Sequence, residues 1–259
     1  MINLYNFLQM KPIFDDKRQV IVNHTRGMAQ FFSCNTKQRL GFIAEECFGA
    51  YLENIGARIL ARNVQINQGQ KTIGEIDFLY QIEEIAYHCE IAVKFYLLTG
   101  TGKSLDDFLG PNVRDNLGKK WRRLNEHQLQ LTQHPTFRSI AIENNWPSSF
   151  VPQLHVVGRL FYPFDDFIEQ KFPKFTGLNP NHEKGFWIHF KEIEKLSAFT
   201  SFYVLSKIEW LVGRQSKSFM NFTELNSSLQ YLDRVIQIEC VLANSMVTKG
   251  FIVPNNYPQ

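Results

Sequence analysis

The stretch IAYHCEIAVKFYLL, residues 85–98, constrains the fold more than any other part of the chain. Its apolar content suits a buried strand, yet Glu90 and Lys94 lie inside it. Burying a charge is costly unless it is paired or coordinates a metal. Side chains alternate faces along a strand. His88, Glu90, Ala92, Lys94 and Tyr96 therefore share one face, and Cys89, Ile91, Val93 and Phe95 the other. Two further runs precede it, ILARNVQI (59–66) and TIGEIDFLY (72–80), separated by the polar breaks NQGQK and QIEE. This pattern predicts a three-strand meander. Glu75 and Asp77 share a face of the middle strand, and a turn centred on Glu83 and Glu84 sets Asp77 directly across from Glu90.

The elements around the meander define an α/β chain. Leu40, Ile43, Ala44, Cys47, Phe48, Tyr51, Leu52 and Ile55 recur at helical spacing. Asn35 or Thr36 can cap that helix and Gly56 can end it. Residues 1–35 read as an irregular arm. After the meander, VRDNLGKKWRRLNEHQLQLT (113–132) reads as a helix, with Val113, Leu117, Trp121, Leu124 and Gln128 on one face. VPQLHVVGRLFYP then reads as a strand. Helix, three strands, helix, strand makes a mixed sheet, because the meander pairs locally and the helix allows a crossover. Further on, GFWIHF, FYVLSKIEWLV, IQIECVLANS and GFIVP read as strands and FTELNSSLQYL as a helix. The expected organisation is a core over residues 1–165 and a C-terminal α+β extension over 166–259 packed on it.

Composition narrows the function classes. The chain has 259 residues, is 44% hydrophobic with 23 Phe, and so buries a substantial core. Its net charge of +3 is only mildly basic. The four cysteines, Cys34, Cys47, Cys89 and Cys240, form no CxxC pair, so neither a zinc site nor a redox motif is indicated. The first residues have no basic start followed by an apolar core, and no apolar run approaches a membrane span. The expectation is a cytoplasmic protein with no membrane partner.

Carboxylates carry the chemistry. Like charges directly opposite on a sheet destabilise it. A divalent cation is one compensation, and carboxylate oxygens suit Mg²⁺ or Mn²⁺. Such an ion can activate water and neutralise a phosphodiester, and Lys94 could orient the water. The competing reading pairs Asp77 with Lys94 in a structural salt bridge, and His88 reads as a satisfied strand histidine. TGTGKS (99–104) fails the phosphate-loop pattern because Leu97 stands where a glycine is required, although Lys103 could touch a nucleic-acid backbone. On the basic helix, Arg114, Lys119, Lys120 and Arg123 are candidates for phosphate contact.

LGFIAE, GEIDFLY, EIAVKFYL and GPNVRDNLGKKWRRLNEHQL together resemble the PD-(D/E)xK nuclease superfamily, which has the restriction-endonuclease-like fold. Residues from about 38 to 130 are most similar to an uncharacterised bacterial domain family placed within it, and GFIVP adds to the likeness. The resemblance implies a Mg²⁺-dependent nuclease core acting on DNA in preference to RNA. Asp77 matches its first acid, Lys94 its lysine and Glu45 the glutamate of the first helix. Glu75 stands as a further metal ligand. The second acid departs from the pattern. The position two before the lysine is Ala92, and the acid is Glu90, about 6–7 Å further along the strand. The alternative is a nuclease-like fold without catalysis that binds nucleic acid or another protein.

Overall fold

The computed structural model describes residues 5–22, 38–216, 218–230, 232–242 and 245–258. In chain order the helices are α1 (Tyr5–Leu8), α2 (Leu40–Asn54), α3 (Leu117–Glu126), α4 (Pro135–Glu143), α5 (Phe164–Ile168), α6 (Glu209–Val212) and α7 (Phe222–Ser228). The strands are β1 (Arg58–Gln68), β2 (Lys71–Ile82), β3 (Ile85–Leu98), β4 (Phe108–Leu109), β5 (Val151–Pro163), β6 (Glu183–His189), β7 (Phe199–Leu205), β8 (Ile236–Leu242) and β9 (Val247–Val253). The protein is mixed α/β, with strands that pair mostly antiparallel. Two compact units share the chain. The first takes residues 1–93 and 119–157, the second 94–118 and 158–259.

In the first unit, β1, β2 and β3 form the meander. Its polar breaks turn where they were expected, with Gly69 and Glu83 in the left-handed region. α2 packs Phe48 edge-on against Phe78 of β2, ring centroids 5.5 Å apart. The helix ends as Gly56 takes a positive φ of 74°, the usual glycine stop. Asn35 and Thr36, read as its caps, lie outside the described residues; Arg39 occupies the N-cap without a side-chain bond. A second apolar cluster joins Ile66, Ile76 and Leu79 to Leu131, Phe137 and Ala141. Burying each of its leucine, isoleucine and phenylalanine side chains contributes about 1.5–3 kcal/mol. The described part of the N-terminal arm is tied down. Ile13 and Val20 donate to the Val156 and Leu154 carbonyls of β5, and Phe14 stacks on Trp121 at 3.7 Å.

The second unit carries β5, β6 and β9 in parallel, continued antiparallel by β8 and β7. Phe186, Leu196, Phe202, Leu225, Ile238 and Ile252 form its core. Within this unit β5 passes very close to the end of β3. Gly158 has a φ of 144°, and a Cβ there would lie 1.8 Å from the Lys94 carbonyl oxygen, so no other residue fits.

Two element readings need correction. The basic helix begins at Leu117, not Val113. Val113 has a φ of 59°, is exposed, and sits in a turn closed by Gly110 N to Asp115 O at 2.9 Å. Tyr96 pins that turn by donating to Asp115 Oδ2 at 3.0 Å. The helix also gives way to a 3₁₀ stretch at Gln128–Gln133. FYVLSKIEWLV is a strand only to Leu205. Glu209 then collects the Ser206 amide and hydroxyl, the Tyr203 hydroxyl and the Gln215 amide, which folds the chain into a turn and α6.

Candidate functional site

The acids cluster in the first unit. β2 and β3 pair as Leu79↔His88 and Phe78↔Cys89, so the next step of that register sets Asp77 opposite Glu90. At that step a side chain replaces the ladder, as the Ile91 amide donates to Asp77 Oδ2 at 2.8 Å. Burial pushes the Asp77 carboxyl well above the usual carboxylate range, and the charge of Glu90 adds to it. Glu45 and Glu75 push the same way, while the Ile91 bond opposes them. Glu45 reaches this group from α2 and accepts from Asn63 Nδ2 at 3.3 Å. Its own carboxyl is raised, first by burial, with Glu75, Glu46 and Glu90 contributing against the Asn63 bond. Glu75 accepts from Gln65 Nε2 at 3.2 Å. Four acids expected from the sequence, Glu45, Glu75, Asp77 and Glu90, thus share one electrostatic neighbourhood drawn from α2, β2 and β3.

Glu90 is buried, and both of its oxygens are engaged. Oε1 lies 2.8 Å from His88 Nε2, and Oε2 accepts from Gln128 Nε2 at 3.3 Å. Gln128 also donates to the Glu75 carbonyl at 3.1 Å, so one amide spans β2 and β3. His88 Nδ1 has no hydrogen-bond partner among the described residues. Sequence reasoning noticed that His88 and Glu90 share a face but did not pair them. Spacing i, i+2 on a strand was the available signal. No local signal exists for Gln128 or Asn63, which arrive from other elements.

The remaining candidates lie elsewhere. Lys94 follows Glu90 by four residues on β3 and is the first residue of the second unit, half-buried. Arg114 is exposed in the turn before α3, and Lys103 is in the same unit. The Lys103 and Ser104 amides donate to Asp107 Oδ2 at 2.9 and 3.3 Å. The chain's own carboxylate therefore occupies the TGTGKS loop, whose sequence already fails the phosphate-loop pattern. Lys119 and Arg123 are exposed on α3 and Lys120 is half-buried.

Among the described residues, no three His, Cys, Asp or Glu side chains gather closely enough to hold a metal ion. Among the described residues there is therefore no closed zinc- or calcium-type cage. Mg²⁺ asks for less, taking one or two carboxylates and completing its shell with water and phosphate oxygens. The oxygen-only donor set around Asp77 fits an ion held in that way. Among the described residues, no helix is long and apolar enough to cross a membrane.

A family model described as a domain of unknown function, DUF1853, matches residues 15–249. No curated protein and no solved structure matches the chain.

Proposed function

The chain belongs to the DUF1853 family, and from its acid cluster we propose a metal-dependent phosphodiesterase acting on DNA, built on a restriction-endonuclease-like core. One observation carries this reading. Asp77 is buried and crowded by three other carboxylates, and the Ile91 amide opposes them by favouring its charged form. Such a group is neutralised by a proton or by a cation. Asp77 with Glu75 or Glu45 would hold Mg²⁺ or Mn²⁺, and when bound the ion would supply charge neutralisation at a phosphodiester and an acidified water.

The chain's own residues do the rest. The Ile91 amide fixes one oxygen of Asp77. Gln128 and His88 hold Glu90 in place beside it. The resemblance gives Lys94 the attacking water. Lys119, Lys120 and Arg123 supply positive charge for phosphates on α3. The test is calorimetric titration of Mg²⁺ and Mn²⁺ into the wild type and Asp77→Ala, followed by cleavage assays on duplex DNA. Binding that is lost in Asp77→Ala supports the reading; absence of binding to the wild type ends it.

A second reading has its own observation. Both oxygens of Glu90 are already bonded, which suits a nuclease-like fold that binds nucleic acid without cutting it. That reading expects DNA binding that is insensitive to chelator and to Asp77→Ala.

A further inference from the structure

In the second unit, the segment between α5 and β6 folds around a cavity of about 550 Å³. That volume lies within the ordinary range of small-molecule sites, about 300–1,000 Å³. Phe172, Phe175, Leu178 and two prolines, Pro173 and Pro180, form its apolar walls. The aromatic walls are braced from behind. Phe172 stands edge-on to Tyr162 at 4.7 Å, and Phe175 to Phe108 at 5.4 Å. The charged residues lining the cavity are both cationic, Lys174 and Lys184. Lys184 is anchored, its Nζ donating to the Pro180 carbonyl at 2.8 Å and the His182 carbonyl at 3.3 Å and lying 5.5 Å from the Phe172 ring centre. Lys174 is exposed at the rim.

His182 also lines the cavity and adds no charge. Its Nδ1–H donates to the Asn179 carbonyl at 2.6 Å, and its Nε2 accepts from the Tyr162 hydroxyl at 2.8 Å. Burial holds its pKa at about 4, so the ring is neutral at physiological pH. The cavity therefore combines flat apolar walls with two lysines, and among the described residues no carboxylate lines it. Lysine serves phosphate as a point charge, and two of them line this cavity. Aromatic walls take a nucleobase through its π-face, and stacking of that kind tolerates any base.

We propose that this cavity binds one nucleotide, the base against Phe172 and Phe175 and the phosphate at Lys174 and Lys184. A free mononucleotide and the 5′-phosphorylated end of a single strand offer the same chemistry. The site does not depend on the acid cluster, and the test removes metal so that the two fail separately.

The experiment is calorimetry on the full chain in EDTA with AMP, adenosine and 5′-phosphorylated tetradeoxyadenylate. AMP should bind, and adenosine should bind about tenfold more weakly, as expected for losing a charge-assisted hydrogen bond. Lys174→Ala, at an exposed position that does not threaten folding, should weaken AMP by a similar factor. A tetranucleotide that binds well above AMP identifies a strand end as the ligand, and equal affinities identify the free nucleotide. No binding of AMP at millimolar concentration overturns the proposal. Equal affinities for AMP and adenosine, or an AMP affinity unchanged in Lys174→Ala, would do the same.

Discussion

Asp77 and His155 titrate in opposite senses, and each sets a pH window for stability. The folded-state pKa of Asp77 is raised, so its contribution is fully present below the ordinary aspartate value and is lost as pH rises through the raised one. Asp77→Asn copies the protonated form and keeps an oxygen for the Ile91 amide. In EDTA at neutral pH it should therefore melt higher than the wild type. Each unit of pKa is worth about 1.4 kcal/mol, and each kcal/mol about 2–4 °C. The gain should vanish by about pH 4, and saturating Mg²⁺ should stabilise only the wild type. A lower melting temperature for Asp77→Asn in EDTA would mean that the carboxylate is structurally paired. His155 is buried against Phe7 and Phe48, and burial depresses its pKa to about 4. Its contribution is present above about 6.5 and is lost as pH falls through 4. His155→Leu should flatten the decline of melting temperature between pH 7 and 4, by on the order of 3 kcal/mol at the acid end. An unchanged acid limb would place the sensitivity elsewhere.

At the scale of elements, Gly158 and α3 make the sharpest predictions. Gly158→Ala drives a Cβ into the Lys94 carbonyl and imposes a φ that alanine resists. It should cost several kcal/mol, about 3 or more when overpacking and strain are combined, as read from urea midpoints. For α3, replacing Lys119, Lys120 and Arg123 together by Ala should flatten the salt dependence of duplex DNA binding. The slope should fall by about 0.9 for each phosphate that is no longer neutralised. An unchanged slope removes the helix from the interface. The elements that were legible in the sequence are those whose own pattern decides them. The meander declared itself by alternation and polar breaks, and α2 by its apolar stripe ending at Gly56. The acid pairing across β2 and β3 followed from the turn at Glu83 and Glu84. What was illegible depends on distant side chains. Val113 continued the apolar spacing of α3, but the Tyr96–Asp115 bond holds it in a turn. The strand after Phe199 stops where one carboxylate, Glu209, gathers four donors. The 3₁₀ stretch that carries Gln128 to Glu90 has no periodic signature at all.

For the whole molecule, the decisive feature is that each compact unit is assembled from separated stretches of chain. No single cut divides the sequence into two pieces that each retain a complete unit. A fragment of residues 1–165 keeps the first unit but carries β5 without its partner β6, and a fragment of 166–259 lacks β4 and β5. The shorter fragment should be unfolded by circular dichroism, and a cooperative melt of it would contradict this division. The same stitching imposes an order on synthesis. Chains emerge at about 5–20 residues per second, and N-terminal parts fold first when they can. Here Glu90 is synthesised ahead of Gln128, which holds it in the folded chain, and residues 94–118 come between the two stretches that make up the first unit. The first unit can therefore close around its acid cluster only after the chain has run through a segment that belongs to the second.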